Sequence, residues 1–179
     1  MNALILVDLQ NDFLPGGALA VAGGDHVIPV ANRLALEHEL VVATQDWHPE
    51  GHSSFSVWPV HCVQNTKGAQ FAADLDINTV HYVFQKGTDP DIDSYSGFYD
   101  NDHRKSTGLG DFLKSKNVDA VTILGLATDY CVKFTALDAR ALGFRVTVVR
   151  SGCRAVNLKP EDEAAAYDEM RKAGITLAD

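Results

Sequence analysis

Five short strand-like runs, two of them closing on a charged residue, alternate along the chain with segments of helical period. They are ALILVDL (3–9), LVVATQD (40–46), VHYVFQK (80–86), AVTILGLA (120–127) and FRVTVV (144–149); ITL (175–177) offers a sixth. ALILVDL suits a strand buried on both faces, as in a parallel sheet, and the other runs read as further strands. Helical spacing fills the gaps between them. Val27, Ile28, Ala31, Leu34 and Ala35 share one face of a segment at 25–37. A shorter helix is expected at 106–117, with Ser106 or Thr107 as its cap. Val132, Thr135, Ala136 and Ala139 make a small apolar stripe after residue 128, and Gly143 is placed to stop that helix. The last helix, 160–174, has Pro160 near its start, acids in its first turn, and Arg171 and Lys172 in its last. This order predicts an α/β fold: one domain over 1–179, with a mostly parallel central sheet of about six strands and helices on both faces.

Bulk properties remove several classes of function. The net charge of -9 and the absence of a basic stripe argue against a nucleic-acid partner. No run of eighteen apolar residues occurs, so no membrane span is expected. MNALILVDLQNDF lacks the basic flank and small-residue cleavage site of a signal peptide and reads as a strand. Three cysteines (Cys62, Cys131 and Cys153) cannot all pair within one chain, which points to free thiols and a cytoplasmic location. No exposed apolar stripe is available from which to read an oligomeric state.

Ligands of parallel sheets bind beyond the carboxyl ends of the strands. Asp8, Asp46, Lys86 and Cys131 all fall at or just past such ends. In ATQDWHPEGHSSFSVWPVHC (43–62), Asp46 and His48 stand two apart and His61 follows after a loop. One carboxylate and two imidazoles suit zinc, iron or manganese, with positions left open for water or substrate. The same three residues also fit a loop rich in exposed histidines. His52 fits a fourth ligand or an orienting partner, and Cys62 a packed thiol. If Thr128 caps the following helix, Cys131 lies in its first turn, where free N–H groups would favour a thiolate and could bind an oxyanion. A small buried thiol at a helix–sheet contact fits Cys131 equally well. Asp8 could take the thiol proton, and Lys86 could hold that carboxylate ionised.

Several longer stretches extend this reading. ALILVDLQNDFLPGGALAV, QDWHPEGHSSF, WPVHCVQNTKGAQF, QKGTDPDIDSYSGF and GLATDYCVKFTALDA occur in this order over almost the whole chain. In them the sequence resembles the nicotinamidase branch of the isochorismatase-like cysteine hydrolases. The resemblance implies a three-layer isochorismatase-like fold and an Asp8-Lys86-Cys131 triad. It implies metal ligands Asp46, His48 and His61, with His52 coordinating in some members only. It also implies a cis peptide at Leu126–Ala127, an oxyanion hole from the N–H groups of Ala127 and Cys131, and a ring pocket walled by Phe13, Leu19, Trp58 and Tyr95. The implied activity is metal-dependent hydrolysis of nicotinamide, and of pyrazinamide-like analogues, to the acid and ammonia through a thioester. The implied cofactor is one divalent ion, zinc foremost, with iron and manganese as alternatives. The rival readings are a cysteine hydrolase of the same fold acting on a carbamoyl or ureido compound, and a non-catalytic metal- or ligand-binding protein.

Overall fold

A computed structural model describes residues 1–179. Strands β1 (Asn2–Val7), β2 (Leu40–Asp46), β3 (Tyr82–Lys86), β4 (Ala120–Leu126), β5 (Arg145–Arg154) and β6 (Thr176–Ala178) form one sheet in the order β3-β2-β1-β4-β5-β6. Every neighbouring pair is parallel. The apolar runs account for this. All of β2 is buried, as are β1 beyond Asn2 and β4 beyond Ala120, because both faces of a central parallel strand are covered.

Two strands differ from their runs. β3 starts at Tyr82 rather than Val80, because His81 meets β2 partly through its ring: His81 Nδ1 accepts the Val41 N–H at 3.1 Å. β5 extends to Arg154, because pairing resumes beyond a register shift in β4, with Gly125 opposite Cys153 and Leu126 opposite Arg154.

The helices are α1 (Ile28–Ala35), α2 (Leu109–Ser115), α3 (Lys133–Ala141) and α4 (Asp162–Lys172). Each is shorter than its periodic segment, because the ends wind differently. A 3₁₀ turn at Gly24–Val27 leads into α1, and a π turn at Thr128–Val132 leads into α3. Gly108 occupies the cap position of α2, while the Thr107 hydroxyl accepts the Leu109 N–H at 3.2 Å. Gly143 ends α3 with φ 96°, and its N–H reaches Arg140 O. No helix is long and apolar enough to cross a membrane.

The strand order positions the site. The chain runs outward from β1 to β3, then returns to the other side of β1 as β4 and runs outward again. With right-handed crossovers, that reversal puts α1 on one face of the sheet and α2, α3 and α4 on the other. It also leaves a crevice where the connections after β1 and β4 part. Asp8 follows β1, Asp46 and Lys86 end β2 and β3, and the π turn carrying Cys131 follows β4.

Candidate active site

Lys86 is the centre of a buried charge cluster. Its side chain is fully enclosed, and Nζ lies 2.9 Å from Asp8 Oδ2 and 2.5 Å from Asp46 Oδ1. It also donates to Ser94 O at 2.7 Å and stands 3.5 Å from Cys131 Sγ. β2 and β3 pair Asp46 with Lys86 in register, so the ladder itself sets this contact. Burial alone would discharge the ammonium, but the two carboxylates outweigh it and hold Lys86 firmly charged.

The two carboxylates are not equivalent. Burial raises Asp46, but the Lys86 charge, with help from His48, more than reverses that and keeps it ionised well below the usual carboxylate range. For Asp8, burial prevails over Lys86, and the nearby Asp46 charge adds to the rise. Asp8 turns away from the strand with φ 51°. Its Oδ1 accepts the Thr44 hydroxyl at 2.6 Å, while Oδ2 has Lys86 nearby but no hydrogen-bond donor aligned on it. A carboxyl whose affinity for a proton is raised, with a free lone pair beside a thiol, is equipped to take a proton and give it back.

Cys131 differs from the sequence expectation in its cap, its winding and its thiol. Thr128 does not cap the helix: Ala127 holds that position with no side-chain bond, and the Thr128 hydroxyl reaches Glu163 Oε1 at 3.2 Å. The turn is π rather than α, and burial pushes the thiol well above its ordinary value despite Lys86. The resting group is therefore the thiol, and the thiolate arises only as its proton leaves. Gly125 and the π turn bracket the Leu126–Ala127 peptide, which is cis.

A second cluster adjoins the first. Donor atoms of Asp46, His48 and His61 lie within 4.8 Å of one another. Asp46 Oδ2 faces His48 Nε2 at 3.4 Å and His61 Nε2 at 3.8 Å. His48 Nδ1 donates to Gly87 O at 2.8 Å and His61 Nδ1 to Pro59 O at 2.7 Å. With Nδ1 protons committed to these carbonyls, both Nε2 atoms face Asp46 and are the ones available to a metal when the rings are neutral. His48 Nε2 is buried without a hydrogen-bond partner. An orphaned imidazole nitrogen in a ring of one carboxylate and two imidazoles is what a divalent ion would satisfy, so the donor set fits such an ion. Gly87, at φ 62°, permits the close approach of His48: a Cβ there would meet the imidazole at 2.4 Å.

His52 stands outside this ring. It stacks on His48 with centroids 4.0 Å apart, its Nδ1 is 2.7 Å from Ser54 Oγ, and its Nε2 is 3.4 Å from Ile92 O. Cys62, at φ 47°, is a buried thiol whose N–H donates to Asp12 Oδ2 at 2.7 Å.

Between the clusters opens a pocket of about 430 Å³, counting its mouth. Asp46, His61 and Cys131 form its reactive floor, and Phe13, Leu19, Trp58 and Tyr95 all line it. Trp58 Nε1 donates to the Tyr95 hydroxyl at 3.2 Å, which fixes two of the walls against each other.

The isochorismatase domain profile matches residues 2–179. The chain belongs to the isochorismatase family. It is 48% identical to the nicotinamidase of Escherichia coli over 98% of this chain and 93% of that one. Among solved structures of similar proteins, the pyrazinamidase of Pyrococcus horikoshii in complex with zinc is 45% identical, with a TM-score of 0.88 over 99% of this chain and 98% of that one. PnC1 from L. infantum, in complex with nicotinate, is 40% identical, with a TM-score of 0.94 over 99% and 91%.

Further residues line the pocket, most of them not singled out from the sequence. Val21, Asp93, Leu126, Tyr130 and Val156 also line the pocket. Asp129 binds the N–H groups of Val156 and Asn157, both at 2.9 Å, and so ties the Cys131 turn to the segment after β5. Gln10, Asn11 and Asp12, which follow β1, bind the loop that follows His61. Asn11 Nδ2 donates to Lys67 O at 2.8 Å, and the Asp12 N–H to Gly68 O at 3.0 Å. Their signal was three polar side chains directly after a fully apolar strand, but a turn of that composition has many uses.

Proposed function

We propose that residues 1–179 form one catalytic domain that hydrolyses nicotinamide to nicotinate and ammonia, with Asp8, Lys86 and Cys131 as its triad. The observation that carries this reading is the placement of Asp8 and Cys131 around one buried ammonium, with Cys131 lining a largely apolar pocket. The names of the relatives supply the substrate: a nicotinamidase at 48% identity and a homologue in complex with nicotinate. Pyrazinamide, which keeps a ring nitrogen and a carboxamide, is an expected second substrate.

Asp46, His48 and His61 would hold the metal, and His52 would brace His48 by stacking. The donor set and the zinc complex of a relative both favour zinc. When bound, the ion would supply a positive anchor for an electron pair on the substrate ring, which fixes the carboxamide relative to Cys131. Trp58 and Phe13 would flank the ring, with Leu19 and Tyr95 closing the apolar wall.

The chemistry then belongs to the chain's own residues. Asp8 Oδ2 accepts the Cys131 proton as Sγ forms a bond to the amide carbon. The N–H groups of Ala127 and Cys131 receive the oxyanion. Asp8 returns the proton to the departing nitrogen, the C–N bond breaks, and ammonia leaves a thioester. Asp8, again a carboxylate, removes a proton from water as its oxygen attacks the thioester carbon. The proton passes back to Sγ as the C–S bond breaks, and nicotinic acid departs, losing its proton to solvent as nicotinate. Lys86 stays charged throughout and prevents two carboxylates from facing each other uncompensated. A raised Asp8 and a protonated resting thiol are both what this exchange requires.

The three free cysteines and the absence of a membrane-spanning helix favour a cytoplasmic location. The test is ammonia release from nicotinamide by metal-analysed protein, run beside Cys131→Ala. The substitution should abolish release while nicotinamide still binds; substantial hydrolysis by Cys131→Ala would sink the thioester route.

A further inference from the structure

Gln10 is fully buried, does not line the pocket, and its side chain bonds only backbone groups. Its amide is nonetheless committed at both ends. Nε2 donates to Asp46 O at 2.8 Å and to Ala69 O at 2.9 Å, and Oε1 accepts the Asp46 N–H at 2.8 Å. Only one amide orientation satisfies these contacts: flipped, the NH₂ would face an N–H and the oxygen would face two carbonyls.

The position explains the need. The β1–β2 ladder ends at Val7 opposite Thr44, because Asp8 turns away. From there on β2 lacks a strand partner on that side, and Asp46 is its last residue. The Gln10 side chain supplies both missing hydrogen bonds, as a peptide group would. On the other side, β3 pairs with Asp46 through Lys86. The Asp46 backbone is thus held from both sides, and its carboxylate can divide: Oδ1 to Lys86, Oδ2 towards His48 and His61. The third bond ties the same amide to the loop after His61.

We infer that Gln10 is a positioning residue that sets Asp46 so that one carboxylate serves the triad and the metal cluster together. The inference rests on the proposed function for the roles of Asp46, but its test does not depend on turnover. Gln10→Met keeps the length and removes all three hydrogen bonds. Gln45→Met is the control, because Gln45 Nε2 donates to the same Ala69 O at 2.9 Å and makes no side-chain bond to Asp46. Two readouts are taken on each variant: zinc affinity by chelator competition, and the rate of Cys131 alkylation by iodoacetamide in metal-free protein.

Gln10→Met should weaken zinc binding by about ten- to hundredfold, the usual scale for residues that orient a ligand, and should change the alkylation rate. Gln45→Met should do neither at equal thermal stability. Gln10→Glu, which keeps the acceptor and one oxygen of similar reach, covers the case in which Gln10→Met does not fold; it should lose zinc affinity in the same direction. Zinc affinity within twofold of wild type in the folded Gln10 variant, or an equal loss in both Gln variants, would overturn the inference. Failure of wild type to release ammonia from nicotinamide, with the zinc difference intact, would overturn the proposed substrate alone.

Discussion

The triad and the imidazole cluster lie side by side, but the chain holds them by different means. Lys86 ends β3 inside its ladder, Asp8 directly follows β1, and Cys131 sits in the hydrogen-bonded π turn after β4. The stretch from 47 to 62 has one 3₁₀ turn at Ser53–Ser56 and a single bridge from His48 to Val63. Its order comes from polar tethers: Asp12 to the Cys62 N–H, Gln64 to Trp47 O, His61 to Pro59 O and His48 to Gly87 O. A loop can present two imidazoles as firmly as a strand presents a lysine, provided buried side chains satisfy its backbone groups. Asp46 is the seam, the last strand residue and the first of the cluster.

Cutting each half alone should break this comparison most sharply. Asp8→Asn should lower ammonia release by about 10²–10⁴-fold, the scale of a lost acid–base group, with metal content unchanged. His48→Ala should do the reverse at the cluster: the ion is lost and nicotinamide binds weakly, while iodoacetamide still alkylates Cys131. Loss of thiol reactivity in His48→Ala would show that the halves do not separate.

Lys86→Met attacks what the halves share. It leaves two buried carboxylates facing each other, and removal of one partner of a buried pair costs about 3–5 kcal/mol. Chemical denaturation of metal-free protein measures this; stability equal to wild type would mean that the carboxylates find other compensation.

Thr44→Val sharpens the acid–base assignment. Asp8 must be ionised to accept the thiol proton, and burial raises it above the ordinary 3.8, so kcat/KM should already fall on the acid side above that value. The Thr44 hydrogen bond lowers Asp8, so its removal should move the acid limb to higher pH. An unmoved limb would assign it to another group.

The smallest effect lies at the rim. His103, largely exposed, has Nε2 2.9 Å from Asp138 Oδ1, and that hydrogen bond raises it above the ordinary 6.5. A raised histidine stabilises the fold fully below 6.5, and the contribution is lost as pH rises through the higher folded value. Melting curves from about pH 5.5 to 8.5 should show a slightly larger wild-type advantage over His103→Ala at the acid end, reduced by salt.

Much of this was legible in the residues. Apolar runs without alternation mark buried strands, and β1, β2 and β4 are buried as their runs require. The strand-end positions of Asp8, Asp46, Lys86 and Cys131 mark the crevice because parallel strands share one carboxyl edge. Less legible was the winding before Cys131, where a helical period does not distinguish a π turn from an α turn. Gln10 was not legible as a tether, since its three partners lie 36 and 59 residues away.

The sequence by itself determined the strands, the edge on which reactive groups gather, and the donor types available to a metal. Tertiary structure alone decided that Lys86 spans two carboxylates, that burial raises Asp8 while Lys86 lowers Asp46, and that His52 stacks on His48. Period and composition are local, whereas the charge a buried group carries depends on which opposite charge the fold brings within about 4 Å of it.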